Sequence, residues 1–288
     1  MGSTRYDMDA RFDRARKMGY ASKSAGEIFT QNAERRAHES MNPNGVFFRE
    51  ARDSSVHPES FPIILGLDVT GSMGHIPYNL IQEGLPKLMG GIIQGGVPDA
   101  ALLFMGIGDH ECDNYPLQVG QFESGDEELD MWLTRTYIES GGGGNGGESY
   151  LLAWYFAAFH TRADAFEKRG QKGLLFTVGD EPCLKTLPAS AIREIMGAGQ
   201  QTFTHKELLA EARKKYEVYH INVLHSDQAM RADRGWKDLL GRNCVSITDY
   251  RDVPYVIREI VCNTRLSGAH TEHEQREGWS GMIQRFLR

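Results

Sequence analysis

Residues 61–74, FPIILGLDVTGSMG, restrict this chain more than any other stretch. They open as an apolar run of strand length and close in a small polar turn. A strand covered on both faces reads as a near-continuous apolar run, which is the mark of a parallel sheet flanked by helices. In open α/β sheets the chemistry gathers at the C-terminal ends of the strands. Here that end carries Asp68, Thr70 and Ser72 at alternate positions, with Gly71 and Gly74 among them. Three oxygen-bearing side chains at a strand tip point to a hard cation, because Mg²⁺ and Ca²⁺ take oxygen ligands. The remaining ligands must then come from elsewhere in the chain.

Beyond Gly74 the chain keeps alternating between helix and strand patterns. A helix of about twenty residues is predicted through Ile76, Leu80, Ile81, Leu85 and Leu88, and then a second buried strand over 100–108. Residues 117–122 alternate like a short edge strand, and 126–137 read as a short helix with its acidic residues where the helix dipole favours them. The glycine-rich loop 141–147 leads into an apolar helix predicted over 149–166. A third buried strand, 173–178, ends in Gly179-Asp180-Glu181-Pro182. An amphipathic helix over 204–216, strands over 218–224 and 245–248, and a helix over 253–261 complete the series. Strand and helix alternating in this manner predict an α/β fold. The sheet is expected to be doubly wound, Rossmann-like and mostly parallel, with helices on both faces and one short antiparallel edge strand.

The pattern divides the chain into three regions: an N-terminal helical arm (1–59), the sheet domain (60–263) and a C-terminal tail (264–288). In the arm, Ser24-Ala25-Gly26-Glu27 has capping-box spacing and predicts a helix running towards Ser40, before the stop at Asn42-Pro43-Asn44-Gly45. The arm is expected to pack on the main domain, with docking to a partner as the alternative. In the tail, Trp279, Met282, Ile283, Phe286 and Leu287 recur at helical spacing. Burying such side chains is worth about 1.5–3 kcal/mol each, so this stripe is expected to dock on its own domain or on a partner.

A formal net charge of −7 argues against nucleic acid, which calls for a basic face. No apolar run reaches membrane-spanning length and the N-terminus has no apolar leader segment, so a cytoplasmic protein without membrane contact is expected. Cys112, Cys183, Cys244 and Cys262 form no C-x-x-C pair, which excludes a zinc finger or a thioredoxin-type site.

Asp68-Val69-Thr70-Gly71-Ser72-Met73 resembles the D-x-[ST]-G-S turn of von Willebrand factor type A domains. Gly142-Gly143-Gly144-Asn145-Gly146-Gly147-Glu148 resembles the GGGD-x-x-E loop of the branch found in bacterial proteins and with atypical kinases. Gly179-Asp180-Glu181-Pro182 is similar to that branch's T-D-x-P. The three motifs agree in order and spacing, and the resemblance covers residues 60–262. It implies a doubly wound fold with a metal-ion-dependent adhesion site holding Mg²⁺, with Mn²⁺ or Ca²⁺ as substitutes. Asp68, Thr70, Ser72 and Asp180 would be ligands, and an Asp or Glu of a protein partner would complete the shell. Met73, His75, Asp109, His110 and Glu181 would form the partner-facing rim. The implied function is a non-enzymatic, metal-dependent protein-binding module in an intracellular multiprotein assembly, beside an AAA+ ATPase in related bacterial cases.

The sequence also departs from the family. Many members take a further ligand from a Thr in the glycine-rich loop, and this loop has none. Asn145, Glu148 and Ser149 compete for that place. If Glu148 coordinates directly, a third carboxylate makes the site less dependent on an external acid.

Other readings use other residues. The Asp-Thr-Gly turn of aspartic proteases is interrupted by Val69, a D-x-D phosphotransferase needs an acid where Thr70 stands, and no G-x-x-x-x-G-K-[ST] phosphate loop is present. Asp109-His110-Glu111-Cys112-Asp113 could hold a second metal or activate water, which would make the protein a metal-dependent hydrolase. A structural protein of a phage or cellular particle, with arm and tail as clamps, is a third reading. His270 and His273 read as a solvated face. Cys183 is either a reactive thiol near Asp180 or an inert one.

Overall fold

All eight residues of the strand Phe61–Asp68 (β1) are buried. Side chains alternate across a strand, and here they feed two cores. Ile63, Leu65 and Leu67 belong to one apolar cluster, and Ile64 to the other. The computed structural model describes residues 4–71, 73–139, 146–197 and 199–267. The main sheet continues through β2 (Ala100–Ile107), β3 (Leu117–Val119), β4 (Gly173–Gly179), β5 (Tyr216–Val223) and β6 (Cys244–Ile247). Its spatial order is β3-β2-β1-β4-β5-β6. Every pairing is parallel except that of β3, which runs antiparallel to β2 at the edge. The order reverses between β1 and its neighbour β4, which creates the crevice in which doubly wound sheets bind ligands.

Helices cover both faces. On one side lie a long helical run starting at His75 (α1, His75–Asn79, at its head), helix α2 (Leu85–Gln94), α3 (Asp126–Thr134) and α7 (Val253–Ser267), whose apolar residues share the first cluster. On the other lie α4 (Tyr150–Phe159), α5 (His205–Lys215) and α6 (Asp227–Leu240). The long run widens to a π-turn over Leu80–Gly84. Pro86 has no amide hydrogen for the carbonyl four residues back, and the wide turn falls in the residues just before it.

The arm belongs to the same body. Tyr20, Ile28, Phe29 and Met41 enter the first cluster, and Arg49–Ala51 pairs in parallel with Thr161–Ala163. Its course corrects the sequence reading. The capping box at Ser24 and Glu27 forms, but the helix it opens stops at Ile28. Phe29 leaves helical geometry to become fully buried, and burial of that ring outweighs continuation of a short helix. A helix that the sequence pattern does not signal, Met8–Met18, precedes it. The apolar helix predicted over 149–166 also ends early, at Phe159, because the chain turns there to pair Thr161–Ala163 with the arm. The tail residues Trp279, Met282, Ile283, Phe286 and Leu287, with His270 and His273, lie outside the described residues. Among the described residues no helix is long and apolar enough to cross a membrane.

Candidate functional site

Asp68 is the last residue of β1 and is fully buried. Its Oδ1 accepts hydrogen bonds from Thr70 N at 3.0 Å and Thr70 Oγ1 at 2.6 Å, which folds the turn back over the strand tip. The Thr70 carbonyl then accepts from Met73 N and Gly74 N, both at 3.0 Å, and starts the next helix. On the other side, Oδ2 accepts from Tyr150 Oη at 3.0 Å. That contact explains Gly179 at the end of β4: a Cβ there would lie 1.9 Å from Tyr150 Oη and 3.0 Å from Asp68 Oδ2. Asp180 comes next in the chain, 3 % exposed, across the switch point from Asp68.

The end of the glycine-rich loop is fastened between neighbouring strand tips. Glu148 N donates to Pro182 O at 3.1 Å, beyond β4, and Ser149 N donates to Gly108 O at 3.2 Å, beyond β2. Ser149 Oγ accepts from His110 N at 3.0 Å and lies 2.7 Å from His110 Nδ1. It also lies 3.4 Å from Asp109 Oδ1. Ser149 is 1 % exposed, so its hydroxyl serves to lock this turn. Asp109 is fully buried and Glu148 is 2 % exposed. Among the described residues, Asp109 Oδ2 and Glu148 Oε2 have no hydrogen-bond partner.

These carboxyl groups disturb one another. Burial first, and then the nearby charge of Asp180, push Asp68 up to about 7, against the hydrogen bonds from Thr70 and Tyr150. Glu148 is pushed up to about 10, by burial and then by Asp68, Asp113, Asp109 and Glu181. Burial also raises Asp113, Glu139 and Glu181. A protein keeps so many acids in one low-dielectric place only by holding protons there or by taking up positive charge.

At the rim, His225 Nε2 lies 3.2 Å from Asp180 Oδ2. His75 meets His225 edge-on at 6.4 Å and packs on Tyr250 at 4.1 Å. Glu181 is held by Gln228, and its carbonyl accepts from Trp236 Nε1 at 2.9 Å.

Of the residues read from sequence as ligands, Asp68, Thr70, Asp180, Glu148 and Ser149 gather at this end of the sheet. Ser72 and Asn145 lie outside the described residues. Of the expected rim, His75, His110 and Glu181 are partly exposed. Met73 is fully buried in the core and Asp109 is fully buried behind the turn, so neither presents a surface to a partner. Burial pushes the Cys183 thiol up, which opposes the reactive thiolate considered for it. The sequence motifs do not include Tyr150 or His225, yet each carries a signal. A tyrosine opening an all-apolar helix needs a partner for its hydroxyl, and His225 stands just past a strand tip, where ligand-facing groups belong.

Among the described residues no three His, Cys, Asp or Glu side chains are gathered closely enough to cage a metal between them. An ion here would complete its shell with hydroxyl oxygens and water, as suits Mg²⁺. The donor chemistry fits such an ion with two carboxylates: Asp68 and Asp180 flank the crevice, and Thr70 adds a hydroxyl.

No family model matches the sequence, and no curated protein matches it. Among solved structures, the chain is similar to the pilus adhesin SpaC from Lactobacillus rhamnosus GG in an open conformation. The identity is 10 %, over 75 % of this chain and 31 % of that one, with a TM-score of 0.48. A von Willebrand factor type A protein from Catenulispora acidiphila is 11 % identical over 71 % of this chain and 42 % of that one, with a TM-score of 0.38. The chain thus spans less than half the length of either.

Proposed function

We propose that this chain is a von Willebrand factor type A-like, non-enzymatic protein-interaction module. Its switch-point site takes Mg²⁺, or Mn²⁺ or Ca²⁺ in its place, and through the ion binds an Asp or Glu of a protein partner. One observation carries the reading. Asp68, Asp109, Glu148 and Asp180 are each at most 3 % exposed at one end of the sheet, and Asp109 and Glu148 each leave an oxygen without a partner among the described residues. Clustered buried acids cost stability unless protons or a cation offset them. Asp68, Asp180 and Thr70 would hold the ion, with Ser72 as the further hydroxyl that the motif supplies. When bound, a divalent cation supplies a centre with open coordination positions for an oxygen of the partner. By the same resemblance, the module belongs in a cytoplasmic assembly of the kind built around AAA+ ATPases.

A metal-dependent hydrolase is the second reading, favoured by Asp109 Oδ2, which has no hydrogen-bond partner among the described residues. Its weakness is access: Asp109 and Ser149 are buried beneath the His110 turn.

Calorimetric titration of Mg²⁺ into the wild-type protein and Asp68→Asn tests the ion. The variant is expected to lose about tenfold or more in affinity, roughly 1.4 kcal/mol. Equal affinity in the two proteins would remove Asp68 from the site. Affinity capture from the native cell with and without EDTA then separates the functions, since an adhesive module loses its partner on chelation.

A further inference from the structure

We propose that an aromatic ledge formed by Phe47, Phe48 and Phe159 is the seat of the chain's own C-terminal tail. The stripe of Trp279, Met282, Ile283, Phe286 and Leu287 would cover it. The proposal goes beyond the metal reading and does not depend on it.

Six large apolar side chains stand exposed among the described residues. Three of them, Phe47 at 83 %, Phe48 at 39 % and Phe159 at 37 %, belong to segments that touch. Arg49 N donates to His160 O at 2.8 Å, and His160 Nδ1 lies 2.9 Å from Val46 O. Residues 46–49 therefore run beside the end of α4. The ring of Phe159 is backed by Tyr155 at 4.8 Å and Phe203 at 5.7 Å. The other three are dispersed. Phe12 and Met18 are six residues apart, on different sides of one helix, and Met230 is on α6. Single exposed apolar residues are ordinary, whereas a group of them marks a surface that something covers.

The chain carries a segment of the matching kind. Residues 268–288 lie outside the described residues, and the sequence sets five large apolar residues there at the spacing of one helix face. That segment starts where α7 stops, at the ledge's end of the sheet. Arg265 in the last turn of α7 lies 3.0 Å from Glu59 Oε2. The next residue, Ser60, donates its amide to Asp53 Oδ1 at 3.2 Å. The five residues from Asp53 back to Phe48 span at most about 18 Å. The twelve from Ser267 to Trp279 reach about 40 Å. Reach is sufficient.

Charge selects the same occupant. Arg162 lies 3.8 Å over the Phe48 ring and makes no ion pair among the described residues. Its charge also acts against that of Lys215. The connecting stretch brings Glu272, Glu274 and Glu277, with a single Arg276, just ahead of the stripe. A tethered stripe meets the ledge at an effective concentration of roughly millimolar order, which an external helix of equal fit must exceed.

Trp279 supplies the test, because Trp132, Trp154 and Trp236 are buried. Acrylamide quenching is measured on the full chain, with Trp279→Phe as the reference that subtracts those three. Sedimentation velocity over a concentration series gives the oligomeric state. Trp279 is expected to be protected in a monomer, and Phe47→Ser/Phe159→Ser to lose that protection. Ile283→Ser/Phe286→Ser should lose it equally, and joining the two pairs should add nothing further, as for partners in one contact. If the ledge pair does not fold, Phe47→Ser alone gives the reading, since a side chain so exposed supports no described packing. Free quenching of Trp279 in the wild type overturns the proposal. So does protection that survives the ledge variants, or protection found only in a dimer, which would assign the ledge to a second copy.

Discussion

Asp68 accepts hydrogen bonds from Thr70 N, Thr70 Oγ1 and Tyr150 Oη. Each favours the ionised carboxylate, yet burial outweighs them and holds the group up, at about 7. Linkage fixes the sign of the consequence. Above its unfolded value near 3.8 and below about 7, the folded protein keeps a proton that the unfolded chain has released. Unfolding free energy therefore falls as pH rises through that window, by at most about 1.4 kcal/mol per pH unit crossed. Glu148 acts in the same direction from 4.5 up to about 10. Elsewhere the sign is opposite. Burial would raise Asp164, but Lys168, the Asp53 amide and Arg52 hold it down at about 2, so its contribution is lost only in strong acid. The metal-free protein is thus expected to lose thermal stability between about pH 5 and pH 8. On the proposed reading Mg²⁺ would take the place of the protons, so a rise in Tm caused by it should grow with pH. Thermal melts followed by circular dichroism, in EDTA and in Mg²⁺, check this. An equal Mg²⁺ effect at both ends of the range would uncouple the carboxyl groups from the ion.

Between elements, the end of β4 and the start of α4 touch where Gly179 faces Tyr150. Gly179→Ala would drive the phenol off Asp68, because the new Cβ would stand 1.9 Å from its oxygen. Overpacking of this kind costs about 1–3 kcal/mol. Mg²⁺ affinity should fall as well, since Asp68 loses a donor that orients it. Chemical denaturation gives the first effect and calorimetry the second; a variant with both values unchanged would mean that Tyr150 does not position Asp68. This contact is hidden in the sequence, whereas the strands are plain. Buried parallel strands such as Phe61–Asp68 and Ala100–Ile107 are apolar throughout and need no partner to be recognised. Helix α4 shows the opposite case: YLLAWYFAAF is apolar on every side and carries no periodicity that says where it ends. Pairing with the arm decides that. Helix α6 gives little sequence signal because its buried face is thin, Ala229, Ala232, Trp236 and Leu240 within a charged segment. In the site, Asp68 and Asp180 are legible because strand tips are where such groups belong. His225 reaches Asp180 only through the order of β4 and β5, which a linear pattern does not display.

At the scale of the whole molecule, the arm closes the fold around one side of the sheet. Arg11 is fully buried, 2.7 Å from Asp130 Oδ1, and donates to the carbonyl of Ile81 at 2.5 Å. Arg14 adds a second contact to Asp130 at 3.0 Å. Met8 packs against α2 where Gly90 leaves space, since a Cβ there would lie 2.9 Å from its Sδ. Tyr20, Ile28, Phe29 and Met41 complete the same core from the arm side. Burial of large apolar side chains is worth about 1.5–3 kcal/mol each, so these four residues alone amount to a large part of the roughly 5–15 kcal/mol that holds a domain folded. Loss of the arm would also leave Asp130 buried without its two arginines, a fault worth about 3–5 kcal/mol in its own right. Removal of residues 1–48 is therefore expected to abolish the single cooperative transition. On the proposed metal reading it should also remove any stabilisation by Mg²⁺, because the strand tips that would frame the ion stand on the core that the arm completes. Differential scanning calorimetry of the full and shortened chains decides the matter. A shortened chain that melts cooperatively, and still gains stability from Mg²⁺, would make the arm an appendage to a self-sufficient sheet domain.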